Sequence, residues 1–410
     1  MSKLSEMIAR LCPNGVEYKR FSEVCLYIRG VTYGKSQEIR SGEDGWKVLR
    51  ANNITLSTNS LNYDDVKVVS KKVKVKPAQL LKKGDILICA GSGSKEHVGK
   101  VAYISEDSDC TFGGFMAVIR AQNGDIDTRY LYHVLTSALF INYLKSALNS
   151  TTINNLSNSV VGPFEIPLPP LPVQREIVQV LDNFANLTAE LTAELAKRKK
   201  QYEHYRDMLL NFTGGGRYDK FGVESGEFRV EWKRLGEIAE IQRGRVMSKD
   251  YLREHPGEFP VYSSQTANEG VFGYIDTYDF DGEYLTWTTD GANAGSVFYH
   301  NGKFSITNVC GLVKTNCDVL NVKYLYYWLG ANAKKYVSSG MGNPKLMSNV
   351  MASIKIPLLS LEEQAALVSI LDRFDSLCNS LTEGLPAEIA LRKKQYEYYR
   401  DKLLSFKEAS

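Results

Sequence analysis

Histidine and cysteine are sparse in this chain, and neither is clustered. The seven cysteines (Cys12, Cys25, Cys89, Cys110, Cys310, Cys317 and Cys378) include no Cys-x-x-Cys pair, and the five histidines (His97, His133, His204, His255 and His300) form no His-Glu-x-x-His pattern. The spacings that build zinc or redox centres are therefore missing. We expect reduced, mostly buried thiols and no metal site. No apolar run approaches the roughly 20 residues needed to span a bilayer. The opening MSKLSEMIARLCPNG lacks the apolar core of a signal peptide, and its Leu4, Ile8 and Leu11 trace one face of a short helix instead. The expected location is cytoplasmic, with no membrane partner. Charge of one sign is also missing: 50 basic residues against 47 acidic ones leave +3, too little to mark a nucleic-acid binder by its total.

What the chain does have is itself, nearly twice. RKKQYEHYRDMLLNF, from Arg198 to Phe212, returns as RKKQYEYYRDKLLSF from Arg392 to Phe406. VEYKRFSEV at Val16 to Val24 returns as VEWKRLGEI at Val230 to Ile238, Arg29-Gly30 as Arg243-Gly244, and YLYHVL at Tyr130 to Leu135 as YLYYWL at Tyr324 to Leu329. FEIPLPPLPVQ from Phe164 is answered by IKIPLLSLEEQ from Ile354. An internal duplication follows, in the order globule, long helix, globule, long helix. A length of 410 residues with 43% hydrophobic content suits two packed domains plus extended helices. The expected segments are a first globule over 1–165, a central helix over 166–215, a second globule over 216–355 and a terminal helix over 356–410.

The helices carry heptad seams. In the first, Ile177, Leu181, Phe184, Leu191, Leu195, Tyr202, Tyr205, Leu209 and Phe212 recur at steps of three and four, with Thr188 and Arg198 filling the intervening positions. The second repeats this with Leu367, Leu371, Phe374, Cys378, Leu381 and Leu385, then takes an extra step to Ile389 before Arg392, Tyr396, Tyr399, Leu403 and Phe406. The four added residues are a stutter. Gly384 and Pro386 lie on it, so we expect a kink or restart there. The simplest partner for each seam is the other, antiparallel, giving an approximate twofold axis. Within the first helix TAEL occurs twice, at Thr188–Leu191 and Thr192–Leu195. Each such unit adds about 6 Å and about 40° of rotation, and is also simply good helix-forming sequence. The tyrosines at seam positions are assigned to helix packing and partner docking, not to base stacking.

This plan, with IPLPPLPVQREIV, LTAELTAEL, RKKQYEHYRD and LTEGLPAEIALRKKQYEYYRDKLLSF as its motifs, resembles the specificity (S) subunit of type I restriction-modification systems, closest to the type IC subfamily. The resemblance covers the whole chain and is most specific in the helices. It implies an α+β fold: two globular α/β target-recognition domains in pseudo-twofold arrangement, separated by two long antiparallel coiled-coil helices. Each domain would read one half of a split, asymmetric sequence in double-stranded DNA, and the helices would set the spacer. Two methyltransferase (M) subunits would dock on the helices and use S-adenosylmethionine to methylate adenine in each half-site. Restriction/translocase (R) subunits would supply cleavage with ATP and Mg. The chain itself would carry no cofactor and no catalysis.

The residues agree with a subunit that lacks chemistry of its own. Adenine methylation needs a polar-Pro-Pro-aromatic motif to grip the flipped base, and the nearest string, NPKL at Asn343 to Leu346, lacks the second proline and the aromatic. GSGSKEHVGK at Gly91 to Lys100 misses the phosphate-loop spacing by one residue and has Val101 where Ser or Thr is required; it reads as a strand-to-strand turn and a candidate for the DNA side. Alternating runs at Val66–Lys76, Gly84–Gly91, Gly99–Ser105 and Gly295–Thr307 read as strands, and Tyr130–Leu148 and Asn321–Val337 as helices.

Base reading needs paired donors and acceptors in a groove. In the first globule these are expected on loops bearing Arg50, Asn52, Asn53, Ser92, Ser94, Lys95 and Ser150 to Thr152, with Thr151 central. In the second they are expected at Arg243, Arg245, Ser263, Ser264, Gln265, Thr289, Asp290, Asn293 and the Asn343 to Lys345 turn. The acid-free run Lys67, Lys71, Lys72, Lys74, Lys76, Lys82 and Lys83 suits phosphate contacts, Lys72 and Lys74 foremost, or equally a lysine-guarded edge strand. Two other function classes compete with this one. A stand-alone DNA methyltransferase would methylate DNA unaided, and a DNA-independent coiled-coil scaffold would show no salt-sensitive duplex binding.

Overall fold

The computed structural model describes residues 3–55, 58–93, 97–149, 155–212, 230–338, 342–380 and 382–409. The chain forms two compact units, one from Met1–Leu191 with Ile389–Ser410 and the other from Thr192–Glu388. Each therefore joins a globular domain to portions of both long helical stretches. The class is α+β.

In the first unit, the strands Cys25–Arg29, Met116–Ala121, Ile86–Cys89 and Val101–Tyr103 lie side by side in an antiparallel sheet. A second sheet orders Thr111–Phe112, Gly45–Leu49, Lys67–Ser70 and Glu38–Ile39. The first sheet is buried on one face against the helices Thr128–Thr136 and Ala138–Asn149 and the start of the long helix, through Tyr130, Leu131, Phe140, Ile177 and Leu181. The 66–76 run is shorter as a strand than its alternation predicts, ending at Ser70, because Val73 N–H bonds back to Ser70 O in a turn. The helix expected over Tyr130–Leu148 is broken in two at Ser137, whose hydroxyl and N–H both bond to Val134 O.

The second unit has one six-stranded sheet, in the order Ala239–Arg243, Cys310–Thr315, Phe280–Thr288, Val297–Ile306, Phe259–Tyr262 and Val271–Ile275. Its core gathers Trp287, Leu285, Tyr324, Leu325 and Leu329 with Leu209 and Leu371 of the long helices. Both units close with a short antiparallel pair, Glu17–Arg20 on Glu165–Leu168 and Glu231–Arg234 on Lys355–Leu358.

Several fixings recur residue for residue. Tyr130 donates its hydroxyl to Pro167 O at 2.9 Å and Tyr324 to Pro357 O at 2.8 Å. The buried Gln174 accepts from Asp127 N and donates to Asp125 O and Pro169 O, while Gln364 accepts from Asn321 N and donates to Val319 O and Leu359 O. Asp127 and Asn321 in turn cap the following helices.

The central helix is one element of 39 residues, Leu171–Leu209. It starts earlier than the seam predicts, with Pro172 in the first turn where its missing N–H is harmless, and ends before Phe212. In the second copy the stutter is a restart. The helix Leu361–Asn379, capped by Ser360 and Glu363, stops, and a new helix runs Gly384–Leu403. Pro386 falls in the first turn of the restarted helix, where a proline is tolerated; Leu381 lies outside the described residues. Seam positions Ile177, Leu181, Tyr202, Leu209, Leu371, Cys378 and Ile389 are buried, while Arg198 is exposed. No described helix is long and apolar enough to cross a membrane. Six of the seven cysteines are buried and Cys317 is exposed, all as free thiols.

Candidate nucleic-acid interface

At one end of the first unit's antiparallel sheet, four loops are tied together by backbone hydrogen bonds. Gly30 N donates to Met116 O (3.0 Å), Val31 N to Phe112 O (2.7 Å), Gly113 N to Leu49 O (2.9 Å), and Ala90 N and Gly91 N both to Phe115 O (2.8 and 3.0 Å). Gly30 is required here, since a Cβ would meet Phe112 O at 2.4 Å and Gly113 O at 2.2 Å. The loops enclose a cleft of about 1020 Å³ lined by Arg50, Asn52, Ser92, Tyr33, Phe115 and Asn155 among others.

Arg50 and Asn52 enter this cleft on a loop organised by Asp65. The Arg50 Nη2 lies 2.7 Å from Asp65 Oδ2 and the Asn52 Nδ2 lies 3.1 Å from the same oxygen. Arg50 Nε is buried with no acceptor among the described residues. Asn53 takes a different role from its neighbours. It is fully buried, with Oδ1 accepting from Arg50 N and Nδ2 donating to Asn62 O and Asp65 O, so its side chain shapes the loop. Ser92 is half-buried. Ser94, Lys95 and Thr151 lie outside the described residues. Lys72 and Lys74 are exposed beyond the strand Lys67–Ser70 and do not line the cleft. The lysine run is not acid-free in space: Lys67 pairs with Glu38 at 3.1 Å and Lys71 with Asp44 at 3.8 Å.

The second unit repeats the platform. Gly244 N donates to Cys310 O, and a Cβ on Gly244 would meet Ile306 O at 2.1 Å. The bridge between Val31 and Gly113 has its counterpart between Arg245 and Thr307, and that between Gly91 and Asn155 its counterpart between Asp290 and Lys345. Arg243 Nη2 donates to Thr289 Oγ1 (2.6 Å) and lies 3.4 Å from Asp290 Oδ2, while Lys345 Nζ is 3.6 Å from Asp290 Oδ1. Thr289 itself is buried. Arg245 bonds to Asp279 and the Tyr251 hydroxyl, and burial opposes, but these bonds outweigh, so that its pKa is raised. Thr307 donates to Ser263 Oγ at 2.9 Å, fixing the loop that also holds the half-buried Ser264 and Gln265. The Gly291 N–H donates to Pro344 O and Leu346 N–H to Thr289 O, which places the exposed Asn343 and Lys345 beside the 289–293 turn bearing the exposed Asn293. NPKL is thus a loop clasp.

Sequence reasoning missed Asp65, Tyr33, Phe115 and Asn155 in the first unit and Asp279 and Thr307 in the second. The Gly113-Gly114 pair between two strand-like runs was the available sign of a turn; the acids had none, because they meet their arginines only in space.

Two domains, each with a loop platform tied by backbone hydrogen bonds at the corresponding end of its sheet, define a duplicated recognition protein. Solved structures share this fold. A chain described under complex assembly and conformational transition of the type I R-M system matches with a TM-score of 0.62 at 20% identity, covering 96% of this chain and 98% of that one. The S subunit of a type I restriction-modification system from M. genitalium matches with a TM-score of 0.55 at 16% identity, covering 95% and 96%. The family model described as "Type I restriction modification DNA specificity domain" matches residues 13–198 and again 229–391, once per copy. The chain belongs to this family, as a specificity subunit with no catalytic role of its own. A putative type I specificity subunit of Mycoplasma pneumoniae is 44% identical over 240 residues, 58% of this chain and 92% of that protein. The type I restriction enzyme EcoR124I/EcoR124II specificity subunit of Escherichia coli is 36% identical over 275 residues, 61% of this chain and 65% of that one.

Proposed function

We propose that each unit reads one half of a bipartite, asymmetric site in double-stranded DNA, with the long helices setting the spacer. Two methyltransferase subunits dock on the helices and methylate adenine in each half-site using S-adenosylmethionine, and restriction subunits join them with ATP and Mg. The subfamily is type IC, and the complex works in the cytoplasm. The observation that carries this reading is the duplicated platform, Arg50 and Asn52 in one unit and Arg243, Arg245 and Lys345 in the other, each held on loops fixed by backbone hydrogen bonds. Arg, Lys and Asn present the donors and acceptors that base edges require, and rigid loops keep them in register.

The test is the adenine methylome of a methylation-free host carrying this gene with its neighbouring methyltransferase gene, against that methyltransferase alone. A split motif with a fixed spacer, seen only when this chain is present, is the expected result. No new methylation despite soluble expression of both would count against it.

A further inference from the structure

Phe115 is 75% exposed, more than any other large hydrophobic side chain of the first unit among the described residues. Single exposed apolar residues are ordinary, but the surroundings of this one are not. Its carbonyl is held by Ala90 N and Gly91 N, and the turn that carries it is tied to Leu49 through Gly113 N. The backbone is thus fastened to the loops that carry Arg50, Asn52 and Ser92, and all four residues line one cleft. An exposed apolar ring thus shares one cleft with the hydrogen-bonding side chains of Arg50, Asn52 and Ser92.

The polar neighbours match the hydrogen-bonding edges of base pairs, and the one apolar group that a base pair displays in the major groove is the C5-methyl of thymine. We propose that Phe115 reads a thymine methyl in the half-site of the first unit, Arg50 and Asn52 supplying hydrogen bonds beside it. The inference rests on the DNA-specificity reading above, in which adenine methylation places at least one A·T pair in each half-site. Phe115 is then a specificity-determining residue that no hydrogen-bonding pattern in the sequence would reveal.

The experiment uses the full chain assembled with its methyltransferase partner and duplexes carrying its site, each thymine of the first half-site replaced in turn by deoxyuridine, which removes only the methyl. One replacement is expected to weaken wild-type binding roughly four-fold, the worth of one buried methyl group. Phe115→Ala should weaken binding to the thymine duplex by a similar factor and be indifferent to that replacement, while Phe115→Leu keeps the sensitivity. Because the ring is exposed, neither variant opens the core. If Phe115→Ala weakens thymine and deoxyuridine duplexes alike, as a ring stacked on bases would, or if no replacement couples to it, the inference is wrong. The specificity reading survives that result, since site-selective binding by the wild type is read in the same titration; absence of that selectivity would overturn both.

Discussion

The ring of Phe184 stacks on that of Tyr399, 5.3 Å between centroids and 20° from parallel, and Tyr205 stacks on Phe374 at 6.0 Å and 25°. Phe184 and Phe374 are equivalent in the two copies, as are Tyr205 and Tyr399. Each unit is therefore completed by a helical segment from the other copy. Aromatic pairs contribute about 0.5–1.5 kcal/mol beyond area burial, so Tyr399→Ala should loosen the first unit and Tyr205→Ala the second. Hydrogen exchange resolved along the chain checks this; equal loss of protection in both units for either variant would contradict it.

Gln174 and Gln364 are wholly buried, and each makes three hydrogen bonds to backbone groups. Replacement by Ala strands those groups, at roughly 1–3 kcal/mol for each that water cannot reach. We expect a destabilisation of about 3 kcal/mol in each case, measured by denaturant unfolding. A loss below about 1 kcal/mol would mean that water replaces the amide.

Low pH should destabilise the protein through two histidines. His300, stacked on Tyr262 and bonded to Thr286 Oγ1, is pushed down by burial to about 4. His133 lies between Asp182 Oδ1 and the Tyr396 hydroxyl, each at 3.0 Å, and burial lowers it despite the carboxylate. A depressed histidine is neutral in the folded state while the unfolded chain takes up a proton below about 6.5, so stability is present above that pH and lost as pH falls towards 4. For His300 the loss is on the order of 3 kcal/mol. His300→Asn should flatten the thermal midpoint between pH 6.5 and 4, and an unaltered slope would refute the assignment.

Phosphate and base contacts separate by salt. Lys72→Ala and Lys74→Ala should each weaken binding to all duplexes and lower the salt slope by about 1. Arg243→Ala should cost about 1–3 kcal/mol and relax sequence preference in the second half-site alone. Binding titrated over several salt concentrations distinguishes them; a Lys72 variant that changes the preferred sequence would reverse its role.

Deleting one TAEL unit, Thr188–Leu191, removes about 6 Å and about 40° of helix. The methylome should then show a shorter spacer with both half-sites unchanged. An altered half-site or an unaltered spacer would show that the helix does not set the separation.

The duplication, the long helices, the helix restart at Gly384 and the absence of a catalytic motif were all legible in the sequence, because repeats, heptads and helix breakers act through neighbours a few residues apart. The Arg-Gly pairs at 29–30 and 243–244 were legible as repeats, but only the fold explained them, since the carbonyls that exclude a Cβ come from Phe112 and Ile306. Asn53 and Thr289 read as surface hydrogen-bonding residues and proved buried, while Phe115, which no sequence pattern singled out, proved exposed. Local patterning cannot make these distinctions: burial is set by which distant loops meet, and the loops of each platform are joined by hydrogen bonds spanning tens of residues in sequence.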